Sequence, residues 1–157
     1  MRGKIFAFIL GGLIGLPAGA FLWYAFSPLF FDAVVSESLT EAQVVAEGQF
    51  RDADRAHSGS GIAKLVALPG GGFEVQFTEF RVTNGPDLEV WLSSHPDPAE
   101  SSDVLDNEYL SLGMLKGNVG DQSYPIPQGT ELADFQSIVI WCEQFGVLFS
   151  PASFGEL

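Results

Sequence analysis

The residues best suited to chemistry are the single cysteine, Cys142, and the two histidines, His57 and His95, of a 157-residue chain. A thiol can act as a redox group, bind a cofactor or form a disulfide with another chain. A free cysteine is also commonly a small buried apolar residue, and the adjacent Glu143 disfavours the thiolate. Both interpretations of Cys142 stay open. His57 is a candidate ligand or a hydrogen-bonding loop residue, and His95 has the weaker case.

Sequence motifs for known catalytic chemistry are absent. The chain has no nucleophile elbow, HExxH zinc motif, phosphate-binding loop or dinucleotide fingerprint. A single cysteine excludes an intrachain disulfide and a paired-cysteine zinc site, and the acidic residues lack the spacing of a calcium loop. Residues 115–121 could offer backbone N–H groups to an anion, although a hairpin turn needs the same residue types. We therefore expect no stand-alone enzyme and no metal site.

The charge distribution excludes partners that need a basic surface. The chain carries 7 basic and 20 acidic residues, a net charge of -13, and every acidic residue lies at Asp32 or beyond. Binding to nucleic acid requires basic groups that replace counterions along the phosphates, so we expect no nucleic-acid partner. Docking of this acidic part on an anionic membrane surface is excluded for the same reason.

The first residues predict a membrane anchor. Residues 5–31 contain no charge, and about 20 apolar residues suffice for a helix to cross a bilayer. Arg2 and Lys4 precede this run, so the N-terminus is expected in the cytoplasm and the rest of the chain outside it, in the periplasm or at the cell surface. The alternative is a cleaved signal peptide with small residues at Ala18 and Ala20, but the apolar run continues past them. We therefore predict an uncleaved anchor over residues 1–28.

Small residues form a stripe along this predicted helix. They recur at every fourth position, at Gly3, Ala7, Gly11, Gly15 and Gly19. Small residues at this spacing let two helices approach closely in lipid, which predicts a homodimer or a partner helix. Glycine is also simply common in membrane helices, so both explanations stay open.

Beyond the anchor, we predict a connector over residues 29–47 and a β domain over residues 48–157. Residues 40–45 suit a short capped helix, or residues 44–46 the start of a strand. Short runs separated by turn residues then predict a loop over 93–107 and strands at 62–68, 73–82, 88–92, 109–115, 122–126, 137–142 and 147–149. This pattern is typical of an all-β sandwich or barrel.

Two of these strands carry further detail. Within residues 73–82 the apolar side chains change parity near Thr78 and Glu79, which predicts a bulge or bend. The strand at 137–142 is apolar on both parities, which predicts a central strand covered on both faces. Cys142 shares its parity with Ile138 and Ile140, so we expect it to point into the layer that they face.

A series of motifs also runs through residues 48–154 in a fixed order. It begins with Gly48-x-Phe50, then His57-x-x-Ser60-Gly61, then Asn84-Gly85-Pro86-Asp87. Its most specific parts are the run containing Lys116, Gly117, Asn118, Gly120 and Asp121, and the later run containing Trp141, Cys142 and Glu143. This series resembles the DM-thirteen domain, the module found beside DOMON domains in Skeletor-type cell-surface proteins.

The resemblance implies a β-rich module of an electron-transfer system for the oxidative modification of surface proteins. The family motif includes a cysteine, suggested to act as a bare thiol or to help hold a prosthetic group such as haem, and it corresponds to Cys142. His57 is then the second candidate haem ligand. The family often has an acid directly before this histidine, where this chain has Ala56, with Asp54 two residues earlier.

No DOMON-like domain occurs in this sequence, so a redox partner would be another protein. We therefore expect a membrane-anchored redox accessory that uses Cys142. The alternative is a non-catalytic binding or adhesion domain in which Cys142 is structural.

Overall fold

A computed structural model describes residues 2–26 and 31–155, and the chain divides into two compact units, Met1–Phe31 and Asp32–Leu157. The first unit contains helix α1, Arg2–Phe26, with Pro17 inside it. Within the described residues, no helix was found that is long and apolar enough to cross a membrane. The predicted end of the anchor at residue 28 lies outside the described residues.

The glycine stripe of α1 has open space beside it. Within the described part of its own unit, and apart from the nearby helix backbone, nothing lies within 4 Å of a Cβ built at Gly11, Gly15 or Gly19. The homodimer or partner helix stays a prediction.

The described part of the second unit has eight strands in two antiparallel sheets of four. The first sheet contains, in spatial order, β1 (Gln43–Gln49), β2 (Gly59–Ala67), β3 (Phe73–Val82) and β6 (Gln122–Pro125). The second contains β5 (Tyr109–Met114), β4 (Leu88–Ser93), β7 (Ser137–Cys142) and β8 (Val147–Ser153). The all-β prediction is confirmed. Because two separate sheets enclose one shared core, the fold is a sandwich and not a barrel.

The predicted strands at 62–68 and 147–149 are too short, since β2 begins at Gly59 and β8 ends at Ser153. The other main differences from prediction lie in the connecting segments. The strand alternative for residues 44–46 is confirmed by β1, and the short helix at residues 40–45 is wrong. The predicted loop at 93–107 contains a short helix, α2 (Ser101–Leu105). The Asp103 carboxylate accepts the N–H groups of Ala99 and Glu100, at 2.8 and 3.1 Å, and so closes the first turn of α2. A 3-10 turn, Leu132–Asp134, precedes β7.

The predicted bulge in β3 is confirmed. Glu79 and Phe80 together lie opposite Gly61 of β2, and Glu79 adopts a positive φ of 51°. Gly61 has a φ of 103°, and a Cβ there would meet the Glu79 carbonyl oxygen at 2.7 Å. The Asp121 carboxylate accepts the Glu79 N–H at 2.9 Å. The bulge therefore needs glycine on one strand and is held from the loop before β6.

Strand β7 is buried on both faces, as predicted. Ile138, Ile140 and Cys142 point into the main core between the two sheets. Val139 and Trp141 point the other way, into a second cluster, which we name the outer cluster. Its other buried members are Trp91, Val104 and Leu148. Because Val104 belongs to α2, that short helix covers part of the outer face of the sheet.

Candidate functional site

Cys142 is enclosed at the end of β7. It pairs in register with Leu88 of β4 and Val147 of β8, and its side chain is 0% exposed. The thiol donates to the Pro86 carbonyl oxygen at 3.0 Å. Burial raises the pKa of the Cys142 thiol, and the negative charge of Asp87 acts in the same direction. The thiolate, which is the reactive form, is therefore disfavoured at this position.

His57 lies in the loop between β1 and β2 and pairs with Asp54. The distance from its Nδ1 to Asp54 Oδ2 is 2.8 Å, and Asp54 Oδ1 accepts the N–H groups of Ala56 and His57 at 2.7 and 2.8 Å. The hydrogen bond from the His57 side chain, followed by those two backbone bonds, lowers the pKa of Asp54 to about 2. The Asp–His pair thus forms although Ala56 occupies the place directly before the histidine.

His57 and Cys142 are linked only through shared neighbours in the described part of the chain. The His57 ring packs on Phe149, with ring centroids 4.2 Å apart. Phe149 in turn fills the space beside Gly85, where a Cβ would lie 2.7 Å from its Cε1 atom. Cys142 bonds to the next residue of that turn, Pro86. The arrangement is a packed junction, and within the described residues the two side chains do not contact each other directly.

A haem group does not fit this arrangement. Iron ligation by Cys142 needs an open approach to Sγ, whereas the side chain has no exposed surface and its thiol is already hydrogen-bonded. A cavity of about 590 Å³ does exist, but it lies beside the β3 bulge and is lined by residues such as Glu47, Gly61 and Glu79. Neither Cys142 nor His57 lines it. Holding haem between these two residues would require the core to open.

The motif loop, residues 116–121, binds another part of the chain. Residues 32–37, which we name the crossing segment, run over it. The N–H groups of Val35 and Glu37 donate to the carbonyl oxygens of Val119 and Asp121, both at 2.9 Å. A Cβ at Gly117 would meet the Ala33 carbonyl oxygen. The glycines of the motif therefore leave room for the crossing segment.

Asn118 is the centre of this contact. Its side chain is nearly buried, with 3% of the residue exposed. Its Oδ1 accepts the Ala33 N–H at 2.7 Å, and its Nδ2 donates to Asp32 at 2.8 Å and to the Val82 carbonyl at 3.3 Å. The hydrogen bond from Asn118 is the main reason that the pKa of Asp32 is lowered, followed by Arg81. One side chain thus joins the crossing segment to β3.

The anion-binding interpretation of this loop is wrong. The N–H groups of Lys116, Gly117 and Gly120 donate to Tyr124 Oη, Gln122 Oε1 and the Phe80 carbonyl. The same loop is more than a hairpin turn, because most of its partners are distant in sequence. The N–H groups of Lys116, Gly117 and Gly120 are thus used within the protein and do not converge on a ligand.

The two charged residues of the motif hold neighbouring backbone. Lys116 Nζ lies 2.7 and 3.0 Å from the two carboxylate oxygens of Glu37 and donates to the Ser123 carbonyl at 2.7 Å. The Lys116 contact is the largest cause of the lowered pKa of Glu37. Asp121 supports the bulge through Glu79. Both residues stabilise the fold around the crossing segment.

Trp141 belongs to a stack of aromatic rings that sequence reasoning missed. Its ring lies 5.1 Å from that of Trp91, which lies 4.1 Å from that of Tyr109. Glu89 accepts the indole N–H of Trp91 at 2.7 Å. The only signal in the sequence was that Glu89 and Trp91 alternate with the core residues of β4, which places them together on the outer face.

His95 stays in its loop. Its Nδ1 accepts the Asp97 N–H at 3.2 Å, and its Nε2 lies 4.0 Å from Asp103. Among residues 2–26 and 31–155, no group of three or more histidine, cysteine or acidic side chains could hold a metal ion.

The fold and these contacts define an all-β sandwich whose motif residues mostly support its own packing. The family model for electron transfer DM13 matches residues 49–154, and the chain therefore belongs to the DM13 family. Searches of the curated proteins and of the solved structures found no match. The resemblance described from the motifs is confirmed.

Proposed function

We propose that this protein is an electron-transfer accessory that exchanges electrons with a separate redox protein and is not an enzyme by itself. The observation that carries the proposal is the match of residues 49–154 to the electron-transfer DM13 family. The acidic surface supports it, since a chain of net charge -13 attracts a basic partner over long distances. The substrate chemistry then belongs to the partner.

The role of Cys142 in this function is a separate part of the proposal. A redox thiol at this position reacts only when the core around it opens, because Sγ is enclosed and bonded to Pro86. A second candidate function follows from the same observation. A non-catalytic binding or adhesion domain needs only a small buried side chain at this position, and free cysteine serves that purpose.

An N-terminal anchor with the β domain outside the cytoplasm is the third part of the proposal. It is supported by the uncharged residues 5–31 and by Arg2 and Lys4 before them. We expect the full-length chain to sediment with membranes after a carbonate wash. We also expect its β domain to be open to protease from outside. A soluble, protease-protected chain would contradict the anchor.

The test of function compares the full-length chain with Cys142→Ser and Cys142→Ala, all produced in a haem-replete host. Visible spectra and protein-film voltammetry are recorded for each protein. Serine keeps a donor for Pro86 and alanine does not, so the pair separates the thiol from the hydrogen bond. A colourless protein with a reversible redox couple supports electron transfer without haem.

The outcomes for the variants then assign the role of Cys142. A couple lost in both variants makes the thiol the redox group. A couple retained in both leaves electron transfer in place and makes the cysteine structural. If the wild-type chain gives no couple and no electron exchange with cationic redox proteins, the electron-transfer proposal is wrong and the binding domain is favoured.

A further inference from the structure

The outer face of the second sheet carries three aromatic rings in one continuous stack. Trp141 and Trp91 are stacked with ring centroids 5.1 Å apart and planes at 26°. Trp91 and Tyr109 are closer and almost parallel, at 4.1 Å and 7°. The exposed fractions of Trp141, Trp91 and Tyr109 are 1%, 4% and 47%. The stack therefore leads from the protein interior to the solvent.

The middle ring has a proton acceptor in place. The indole Nε1–H of Trp91 donates to Glu89 Oε2 at 2.7 Å. Ser111 Oγ donates to the same oxygen, also at 2.7 Å. Trp91 and Ser111 face each other across β4 and β5, so the pairing of the strands fixes both donors around the carboxylate. Charge-assisted bonds of this kind are the stronger class of hydrogen bond.

This geometry suits one-electron oxidation of Trp91. Loss of an electron turns a neutral indole into a cation whose Nε1 proton is acidic, and a carboxylate in contact both stabilises that charge and accepts the proton. The low exposure of Trp91 keeps bulk water away from the radical. Tyr109, with its ring parallel to Trp91 and half of its surface in solvent, is the point where an external oxidant can make contact.

We propose that Tyr109, Trp91 and Trp141 form a one-electron relay in which Trp91 is the group oxidised and Glu89 takes its proton. One electron leaves Trp91 through Tyr109 to a cationic, high-potential metal-centred oxidant on a partner. The indole proton moves from Nε1 to Glu89 Oε2, which leaves a neutral indolyl radical beside a protonated carboxyl. Return of the electron from the reduced metal centre through Tyr109 to Trp91, and of the proton from Glu89 to Nε1, restores the starting state.

This relay rests on the proposed electron-transfer function and names the residues that carry the electron. The cationic character of the partner follows from the charge of the chain, which is -13 overall, with all 20 acidic residues at Asp32 or beyond. Glu89 also places a carboxylate at the stack itself, with its Oε2 2.7 Å from the indole nitrogen of Trp91. The relay does not use Cys142, which points into the opposite layer.

The experiment uses the full-length chain in detergent with Trp23→Phe and Tyr24→Phe. Trp91 and Trp141 are then the only tryptophans, and Tyr109 and Tyr124 the only tyrosines. Laser flash photolysis generates tris(bipyridine)ruthenium(III), a cationic one-electron oxidant, and the visible bands of the radicals are followed. We expect a neutral tryptophanyl radical that is absent in Trp91→Phe. We also expect a strong fall in its yield in Tyr109→Leu and little change in Phe73→Leu, an exposed ring outside the stack.

Glu89→Gln separates proton acceptance from packing, because the amide keeps the size of the side chain. We expect the oxidation of Trp91 to slow by roughly tenfold, the size of effect given by losing one charge-assisted hydrogen bond. The radical should then appear as the protonated cation, and the solvent deuterium effect on its formation should change. Glu89→Asp should restore the neutral radical in part.

The relay is overturned by either of two results in variants whose circular dichroism and thermal midpoint match the parent. One is an undiminished tryptophanyl yield in Tyr109→Leu, and the other is a neutral radical formed equally fast in Glu89→Gln. If the relay fails while the wild-type chain still shows a redox couple by voltammetry, the electron-transfer function stands without it. If radicals form as expected but no redox protein exchanges electrons with the chain, the relay stands and the accessory function is wrong.

Discussion

Replacing Asn118 by alanine should weaken the attachment of the crossing segment to the β sandwich. The substitution removes the acceptor for the Ala33 N–H and the donor to the Val82 carbonyl, and it leaves a space at a position that is 3% exposed. Each bond contributes about 1 kcal/mol net, and a buried group left without its partner costs more. We expect Asn118→Ala to lower the free energy of unfolding by about 2 to 3 kcal/mol.

Urea unfolding of the full-length chain, followed by tryptophan fluorescence, measures this loss. Asn107→Ala is the matched control, because Asn107 is exposed and its side chain makes one bond, to the Asp103 carbonyl at 2.8 Å. A change of no more than about 0.5 kcal/mol is expected there. Hydrogen exchange gives a local measure, since the N–H groups of Val35 and Glu37 should lose protection in Asn118→Ala.

The pKa of Asp32 gives an independent test of the same contact. The Asn118 hydrogen bond is the main cause of its lowered pKa, with Arg81 second. In Asn118→Ala that pKa should rise toward its usual value when followed by NMR titration. A free energy of unfolding within error of the wild type, together with unchanged exchange protection of the Val35 N–H, would refute this reasoning. It would show that Asn118 does not stabilise the contact with the crossing segment.

Three further predictions concern other sites. Gly120→Ala should lower the free energy of unfolding in urea by more than about 1 kcal/mol, because φ is 103° and a Cβ there meets a carbonyl of the crossing segment. Gly71→Ala is the control, since its Cβ has open space and the substitution adds only backbone strain. Equal losses in the two variants would contradict the steric reason. The hydrogen bond from His57 lowers the pKa of Asp54 from its usual 3.8 to about 2. The wild type should therefore be more stable than Asp54→Asn above pH 3.8, and this difference should vanish as the pH falls toward 2. Unfolding curves that differ equally at both ends of that range would contradict it. The Cys142 thiol should resist a colorimetric thiol reagent in the native chain and react at once after unfolding; fast native reaction would show that the core opens.

The sandwich could be predicted from sequence where local pattern alone decides the structure. The strands at 73–82 and 137–142 have the predicted bounds, since turn residues flank them and their apolar parity is clear. The parity change at Thr78 and Glu79 likewise predicted the bulge. These features depend on neighbours within a few residues, which a sequence displays directly.

The candidate sites depend on contacts that a sequence does not display. Asn118 accepts a hydrogen bond from Ala33, 85 positions away in the sequence. The residues near the motif therefore gave no sign that its glycines make room for the crossing segment. The stack of Trp91 on Tyr109 requires the register of β4 against β5, which no single strand reveals. The Asp54–His57 pair was within reach of local reasoning, because a carboxylate three residues earlier bonds the histidine as readily as an adjacent one.

The crossing segment also determines how the β unit responds to mechanical load. Residues 32–37 run parallel to the motif loop, with a bridge between Val34 and Val119, and a pull applied at residue 32 acts along these contacts. Several bonds must then break together, and they are backed by the Lys116–Glu37 ion pair. We therefore expect tension at residue 32 to be carried to β3 through Asn118. The motif loop is therefore expected to resist shear at the point where residues 32–37 join the sandwich.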